Sequence, residues 1–332
     1  ETPSVTLLIP FRNERENIDP LTDELFKLDY PELQIILIDD QSDDQSADLL
    51  KEKLQSFPHI QVVSSAEKGK KQAIELGVSL AQSELILCSD ADCTFPSGWV
   101  SRMVYPFQNP LIQLVAGPVI NGGDTGFFQK FQQIEWSSIL ILTQYFFSQK
   151  RPLMCSGANL AYRKSAFEAV HGYDQNRQFL SGDDEFLLKK YVEIFGGASC
   201  VYLTFKENLV LTKPQSTFSD LLNQRIRWAG KWKLHRDLMH AASAGFSFTV
   251  QLVWLGSFWL LGFGFRGILF FLGVWLVKIF AERNYLGNVL ASFELRYSFN
   301  DFFKTGILHP IYVFTVVIGA FRGKFTWKGR SN

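Results

Sequence analysis

Between Ser4 and about Val115 short apolar runs recur at near-regular intervals: Val5-Thr6-Leu7-Leu8-Ile9, Gln34-Ile35-Ile36-Leu37-Ile38, Ile60-Gln61-Val62-Val63 and Glu84-Leu85-Ile86-Leu87-Cys88. Runs this short and this rich in Val, Ile and Leu read as strands buried on both faces, not as helices. Helix-like spacing fills the gaps around 15–28, 46–56 and 69–81, so the segment reads βαβαβαβ. Right-handed crossovers then make the sheet parallel, and the expected fold class is α/β. In such sheets ligands sit beyond the C-terminal ends of the strands. An apolar helix is expected over 186–195 and one more strand near 198–203.

Three of the four strand ends carry a polar cluster. Pro10-Phe11-Arg12-Asn13-Glu14 follows the first, Asp39-Asp40-Gln41-Ser42-Asp43-Asp44 the second, and Ser89-Asp90-Ala91-Asp92 the fourth. All three are expected to face one cleft. Crowded carboxylates repel one another unless a cation or hydrogen-bond donors offset them, so a soluble sheet gains nothing from such an arrangement. That convergence is the first sign of chemistry.

Asp90 and Asp92 flank one small residue, and two carboxylates so placed can hold a Mg or Mn ion through hard oxygen ligands. Asp-x-Asp alone also occurs in solvated turns; its place beside two other acidic clusters favours a site. Asp39 and Asp40, with Ser42 and Asp43, suit a nucleobase imide and ribose hydroxyls, against the alternative of an Asp-rich N-cap for a helix opening at Ser46. Lys70, in Lys68-Gly69-Lys70-Lys71, can reach donor phosphates or simply start a solvated helix. Asp183, Asp184 and Glu185, after Ser181-Gly182, open the apolar helix, and an acid there can deprotonate a hydroxyl or act as a plain N-cap. Gln224, Arg227 and Trp228 share one helical face by i, i+3, i+4 spacing; Arg forks onto phosphate and the indole plane accepts the C–H groups of a sugar ring. The other reading of that segment is a juxtamembrane basic helix on lipid headgroups, continued by Lys231, Lys233, His235 and Arg236.

The chain has 332 residues, enough for one α/β domain of about 200–250 residues plus an appendage. Lys plus Arg equals Asp plus Glu at 33 each, so no global field points toward nucleic acid and any electrostatic function is local. Cys88, Cys93, Cys155 and Cys200 form no CxxC pair and no His-flanked cluster, which argues against zinc and disulfides and for a reducing compartment. The first residue is Glu, so a segment ahead of it stays open.

After Gly245 come three apolar stretches, 246–264, 267–281 and 306–321, separated by Arg266 and by a polar interval over 282–304. Only the first has the roughly 20 residues that span a bilayer. The first two are apolar around their whole circumference and rich in Trp and Phe, which favours membrane helices over a buried soluble bundle. Three crossings would put the basic tail, 322–330, opposite the soluble domain, against the positive-inside rule, so one stretch near 285–321 is expected to be re-entrant or interfacial. Residues 127–149 read equally as a helix on the membrane surface or a buried soluble helix.

Taken in order, Ile9-Pro10-Phe11-Arg12-Asn13-Glu14, Ile38-Asp39-Asp40-Gln41-Ser42, Asp90-Ala91-Asp92, Ser156-Gly157-Ala158-Asn159, Gly182-Asp183-Asp184 and Gln224-Arg225-Ile226-Arg227-Trp228 resemble family 2 glycosyltransferases of the GT-A fold. Within them the resemblance is to the membrane-associated branch of cellulose, hyaluronan and ceramide glucoside synthases, over about residues 4–235. It implies a Rossmann-like, mostly parallel GT-A domain over 1–240, cytoplasmic at an inner or plasma membrane, followed by membrane helices over 241–332. It implies that Pro10, Phe11, Arg12, Asn13, Glu14, Asp39 and Asp40 bind the donor nucleoside, that Asp90 contacts the donor and that Asp92 ligates the metal. Lys70 joins the expected donor-binding set, and Asp183, Gln224, Arg227 and Trp228 the acceptor and diphosphate set.

Such enzymes invert the anomeric centre, so the implied step has an acceptor hydroxyl, deprotonated by Asp184, attacking C1 of a nucleotide sugar while Mg or Mn stabilises the departing diphosphate. The donor is expected to be UDP-linked, the acceptor lipid-linked or membrane-proximal, with membrane lipid as a partner and nucleic acid none. Gly182-Asp183-Asp184 departs from the Glu-Asp of many relatives but keeps the base; Phe11-Arg12 departs from small or aromatic residues and leaves the donor open. Two or three membrane stretches, fewer than in polymer-extruding relatives, favour a single transfer. The alternatives are a processive polysaccharide synthase, a catalytically silent nucleotide-binding membrane scaffold, and a soluble nucleotidyltransferase that would release pyrophosphate.

Overall fold

The computed structural model describes residues 2–123, 126–177, 179, 182–230, 238–322, 326–327 and 330–331. Two compact units emerge: Glu1–Gly122 with Leu142–Lys213, and Gly123–Ile141 with Pro214–Asn332. Segments 123–141 and 214–240, placed with the catalytic domain by the sequence, therefore group with the C-terminal helices. The reason is a set of side-chain contacts between the two segments, described below.

The first unit opens with β1 (Val5–Phe11), α1 (Ile18–Phe26), β2 (Leu33–Asp39), α2 (Ser46–Leu54), β3 (Ile60–Ser64), α3 (Lys70–Leu80) and β4 (Leu85–Cys88). Next come β5 (Cys93–Thr94), α4 (Trp99–Val104), β6 (Leu114–Ala116), β7 (Val119–Asn121) and α5 (Phe127–Ser148), a helix shared between the units. β8 (Leu160–Arg163), α6 (Lys164–Ala169), α7 (Asp183–Phe195), β9 (Cys200–Tyr202) and β10 (Val210–Thr212) complete it. The expected βαβαβαβ start is present. β5 to β8 and β10 were not anticipated, because strands of two to four residues are too short to show a period.

The main sheet has the order β3-β2-β1-β4-β8-β6-β9. Its first four strands are parallel, with β1 central and buried along its whole length, as its unbroken apolar run requires. Leu8, Ile36 and Ile38 pack in one core with Ala73, Ile74 and Val78 of α3. Each large aliphatic side chain so removed from water contributes about 1.5–3 kcal/mol.

Register sets the site. Phe11 lies opposite Asp39 and Leu8 opposite Cys88, so the loops after β1, β2 and β4 leave the sheet along one edge, at the switch point between β1 and β4. β8 is antiparallel to β4, with Leu160 opposite Cys88. An antiparallel strand presents its N-terminal loop where parallel strands present their C-terminal ones, so 156–159 arrives at the same edge. A second sheet, β5-β10-β7, pairs Thr212 with Cys93 and carries β10 alongside the end of the Asp90-Ala91-Asp92 segment.

The second unit holds the first part of α5, then α8 (Phe218–Ala229), α9 (Leu238–Gly256), α10 (Gly264–Ser292), α11 (Phe299–Arg322) and a small hairpin of β11 (Thr326–Trp327) and β12 (Arg330–Ser331). Phe131 of α5, Leu221 of α8, and Tyr312 and Val316 of α11 form its buried cluster. α5 buries Gln132 and Gln133 as well as Phe131 and Ile134, and Gln132 Nε2 donates to the Gln215 carbonyl at 3.0 Å.

Two C-terminal segments, Gly245–Ser292 and Phe299–Arg322, are long and apolar enough to cross a membrane. The 246–264 and 267–281 stretches belong to the first, bent through a 3-10 turn at Ser257–Phe263 and Gly264. The 306–321 stretch lies within an unbroken α11 that tolerates Pro310. Only 11% and 28% of the most apolar part of each segment is buried. Trp259, Phe263, Phe265 and Phe270 are all at least 70% exposed. Soluble monomers rarely expose an apolar surface of that extent.

Candidate active site

The acidic loop 39–44 divides its work. Asp39 Oδ1 accepts the Ser42 amide at 2.9 Å, Asp40 Oδ1 accepts the Gly69 amide at 2.6 Å, and both carboxylates are buried. Asp44 accepts the amide and hydroxyl of Ser46 and the Arg15 amide. The capping contact at Ser46 thus falls to Asp44 and not to Asp39 or Asp40. Asp43 has a side chain 75% exposed.

Of the first loop, Arg12 and Asn13 face the second loop. The Arg12 guanidinium donates to the Asp40 carbonyl at 2.9 Å and to the Gln41 carbonyl, and lies 3.5 Å from the Asp43 carboxylate. The Asn13 amide donates to Ser42 Oγ, and its own Oδ1 accepts the Asp43 amide, each at 3.0 Å. These two residues hold the two loops in register. Pro10 and Phe11 are the buried last residues of β1, and the Phe11 carbonyl accepts the Asp40 amide at 2.8 Å.

Lys70, the first residue of α3, spans the centre. Its Nζ stands 2.6 Å from Asp90 Oδ1 and 3.1 Å from Asp183 Oδ2, joining the β4 loop to the start of α7. Burial by itself pushes the ammonium toward neutrality, but the charges of Asp183 and Asp90 outweigh it, so its pKa stands well above the ordinary lysine value. A lysine raised in this way carries its charge at every pH below its ordinary pKa and loses it only as pH climbs through the raised one. Lys70 is therefore a fixed positive charge across the neutral range.

Asp184 is held from two sides. Its Oδ2 accepts the Gly157 amide at 3.1 Å and its Oδ1 the Glu185 amide at 2.7 Å. Gly157 allows this approach: a Cβ there would lie 2.9 Å from Asp183 Oδ2 and 3.5 Å from Lys70 Nζ. Gly182 precedes the helix at φ 85°, a backbone angle that favours glycine and turns α7 into the edge. Ser181 lies outside the described residues. Asp183 is buried and Asp184 half-buried, so the second carboxylate is the more accessible of the two.

Asp92 Oδ2 accepts a hydrogen bond from the Thr212 hydroxyl at 3.0 Å. Asp90, Asp92 and Thr212 offer hard oxygens, which fits Mg or Mn better than softer metals. Among the described residues no three His, Cys, Asp or Glu side chains make a complete cage. Phosphate and water oxygens would have to fill the rest of the shell, as is usual for Mg. The cysteines do not compete: burial pushes the Cys88 thiol up to about 12, and burial raises Cys93 and Cys155 as well. All stay protonated near neutrality and serve as neither nucleophiles nor soft ligands.

Residues 6–170 match the family described as Glycosyl transferase family 2. This chain carries a family 2 glycosyltransferase domain. Over 308 residues it is 25% identical to a poly-beta-1,6-N-acetyl-D-glucosamine synthase of Staphylococcus epidermidis, a match covering 90% of this glycosyltransferase and 69% of the synthase. Over 239 residues it is 26% identical to a beta-monoglucosyldiacylglycerol synthase of Synechocystis sp., covering 68% of this chain and 47% of that enzyme. Among solved structures, a mannosyltransferase from Pyrobaculum calidifontis, PcManGT, in complex with GDP-Man and Mn2+, superposes with a TM-score of 0.61 at 15% identity, over 97% of this chain and 88% of its own. The glycosyltransferase has the GT-A-type, Rossmann-like fold with a mostly parallel sheet expected of it.

In the second unit of the glycosyltransferase, Gln224, Arg227 and Trp228 fall on α8, capped at Thr217, whose hydroxyl accepts the Asp220 amide at 3.1 Å. Lys231, Lys233, His235 and Arg236 lie outside the described residues. Sequence reasoning gave no role to Gly157, Thr212 and Asn159 of the first unit or to Arg225 of the second. Fully buried Asn159 receives the Trp99 indole N–H and donates to the Pro118 and Asn208 carbonyls, tying the strands behind the site. Ser156-Gly157-Ala158-Asn159 was noticed as part of a pattern, but only its fold partners explain it.

Proposed function

We propose that this family 2 enzyme transfers one sugar, with inversion, from a nucleotide diphosphate donor, UDP-linked in our reading, to a lipid-linked or membrane-proximal acceptor. The arrangement that carries the proposal is Lys70 held between Asp90 and Asp183, beside an Asp184 oriented by the Gly157 amide. A cation and carboxylates gathered from separate loops at one sheet edge are the kind of perturbed cluster that marks a site for a charged ligand.

In this reading Asp39, Asp40 and the Pro10–Glu14 loop bind the nucleoside, with Arg12 and Asn13 shaping its pocket and Asp90 and Lys70 meeting the donor. Asp184 accepts the proton of the attacking hydroxyl as its oxygen bonds to C1 and the C1–O bond to the diphosphate breaks. Asp183 is read as a diphosphate contact and, on the second unit, Gln224, Arg227 and Trp228 as ligands of diphosphate and sugar, from the resemblance alone. Asp92 holds a Mg or Mn ion, which when bound neutralises charge on the leaving diphosphate. PcManGT, in complex with Mn2+ and GDP-Man, supports a metal here and leaves the nucleotide to be tested. The apolar segments support a membrane location; in our reading the catalytic unit faces the cytoplasm.

Thr212 orients Asp92 in this scheme. Thr212→Val should raise the Mn2+ concentration needed for half-maximal nucleotide release by roughly 10–100-fold, as loss of an outer-shell partner does, and Thr212→Ser should restore it. An unchanged metal titration would remove Thr212 from the site.

The processive alternative gains from the synthase relative, whose match extends over 90% of the chain. The deciding experiment supplies the detergent-purified full chain with Mn2+, membrane lipid and a panel of UDP- and GDP-linked sugars, and reads both nucleotide release and product mass. One added sugar supports the proposal and a ladder supports the synthase. Absence of release with every donor would favour a silent scaffold.

A further inference from the structure

We propose that Glu135 and Arg225 form a clamp that sets the orientation of Gln224 and Trp228, making both positioning residues of the transfer reaction. This rests on the reading above that Gln224 and Trp228 bind diphosphate and sugar. Arg225 is 4% exposed. Its Nε and Nη2 fork onto the Glu135 carboxylate of α5, with contacts of 3.1, 3.2 and 2.7 Å. Its Nη1 donates to Gln224 Oε1. The guanidinium carbon lies 4.8 Å from the centre of the Trp136 ring and 4.4 Å from that of Trp228. The two indoles meet edge to face, with centres 5.3 Å apart.

One side chain thus touches two of the three functional residues of α8 and anchors them to a helix 90 residues earlier. Stability alone does not explain it, because a buried ion pair is often matched by apolar residues of similar volume. What a planar guanidinium adds is direction: it fixes the plane of each indole that stacks on it and the rotamer of the amide it donates to. Burial would weaken the guanidinium charge, and Glu135 more than restores it, so Arg225 stays charged.

The test uses the full chain in lipid nanodiscs, labelled with 5-fluorotryptophan, with Trp136 and Trp228 resonances assigned by Trp→Phe substitution. Glu135→Gln keeps the shape and removes the charge; Arg225→Lys keeps the charge and removes the fork. Both should move the Trp136 and Trp228 fluorine signals while leaving the other tryptophans in place. With UDP-glucose or UDP-N-acetylglucosamine as donor, whichever is turned over, both should lower kcat/KM for UDP release by roughly tenfold to a hundredfold, mostly through KM. Glu135→Asp should recover part of the loss. Folded variants with wild-type fluorine signals and KM would overturn the clamp. Should Glu135→Gln fail to fold, Arg225→Lys decides alone. Wild-type turnover in Trp228→Ala would instead defeat the reading of Trp228, while the fluorine signals still judge the clamp.

Discussion

Asp184→Asn is expected to lower kcat by roughly 10²–10⁴-fold, the range that a general base contributes, with UDP binding almost unchanged. Asn has the shape of Asp and can still accept the Gly157 amide, so the start of α7 should stay in place. What it cannot do is take the proton of the attacking hydroxyl. The measurement is single-turnover transfer beside thermal denaturation, since loss of one hydrogen bond costs only about 1 kcal/mol. A folded variant within about threefold of wild type would show that proton removal is not part of the rate-limiting step, or that another group performs it. Asp183→Asn provides the contrast. It frees Lys70 from one of its two carboxylates and should act on donor affinity more than on the chemical step.

Asp92→Asn should have the second large effect, on metal-dependent donor binding. Calorimetry of UDP in the presence of Mn2+ should show affinity reduced by more than the roughly 10–100-fold that loss of an outer-shell partner costs, because a charged oxygen ligand is lost outright. In the absence of Mn2+ the variant and the wild type should bind UDP equally weakly, since Asp39 and Asp40 are untouched. Equal affinity with Mn2+ present would place the ion elsewhere. Thr212→Val, a gentler change on the same carboxylate, should fall between the two.

Much of the first unit was legible because its signals are local. An apolar run of four or five residues, a helical period and a polar cluster at a strand end can each be read without knowing what lies opposite. The assignment of Asp39, Asp40, Asp90 and Asp92 to one edge needed only the rule that parallel strands end together, and the register confirms it. Arg12 and Asn13 were legible as candidates but not in their task, since their partners lie 28 residues or more along the chain.

By itself the sequence determined the α/β class, the family, the acidic strand ends and the apolar C-terminal segments, since each depends on residue type and near-neighbour spacing. Only the tertiary structure decided that an antiparallel β8 delivers Gly157 to Asp184, and that Thr212 reaches Asp92 from 120 residues away. It likewise decided that Glu135 pairs with Arg225, 90 residues along the chain, whose guanidinium lies over Trp228, and that 123–141 groups with the C-terminal helices. Contacts of that kind are made by strand order and helix packing, which no local pattern of side chains encodes.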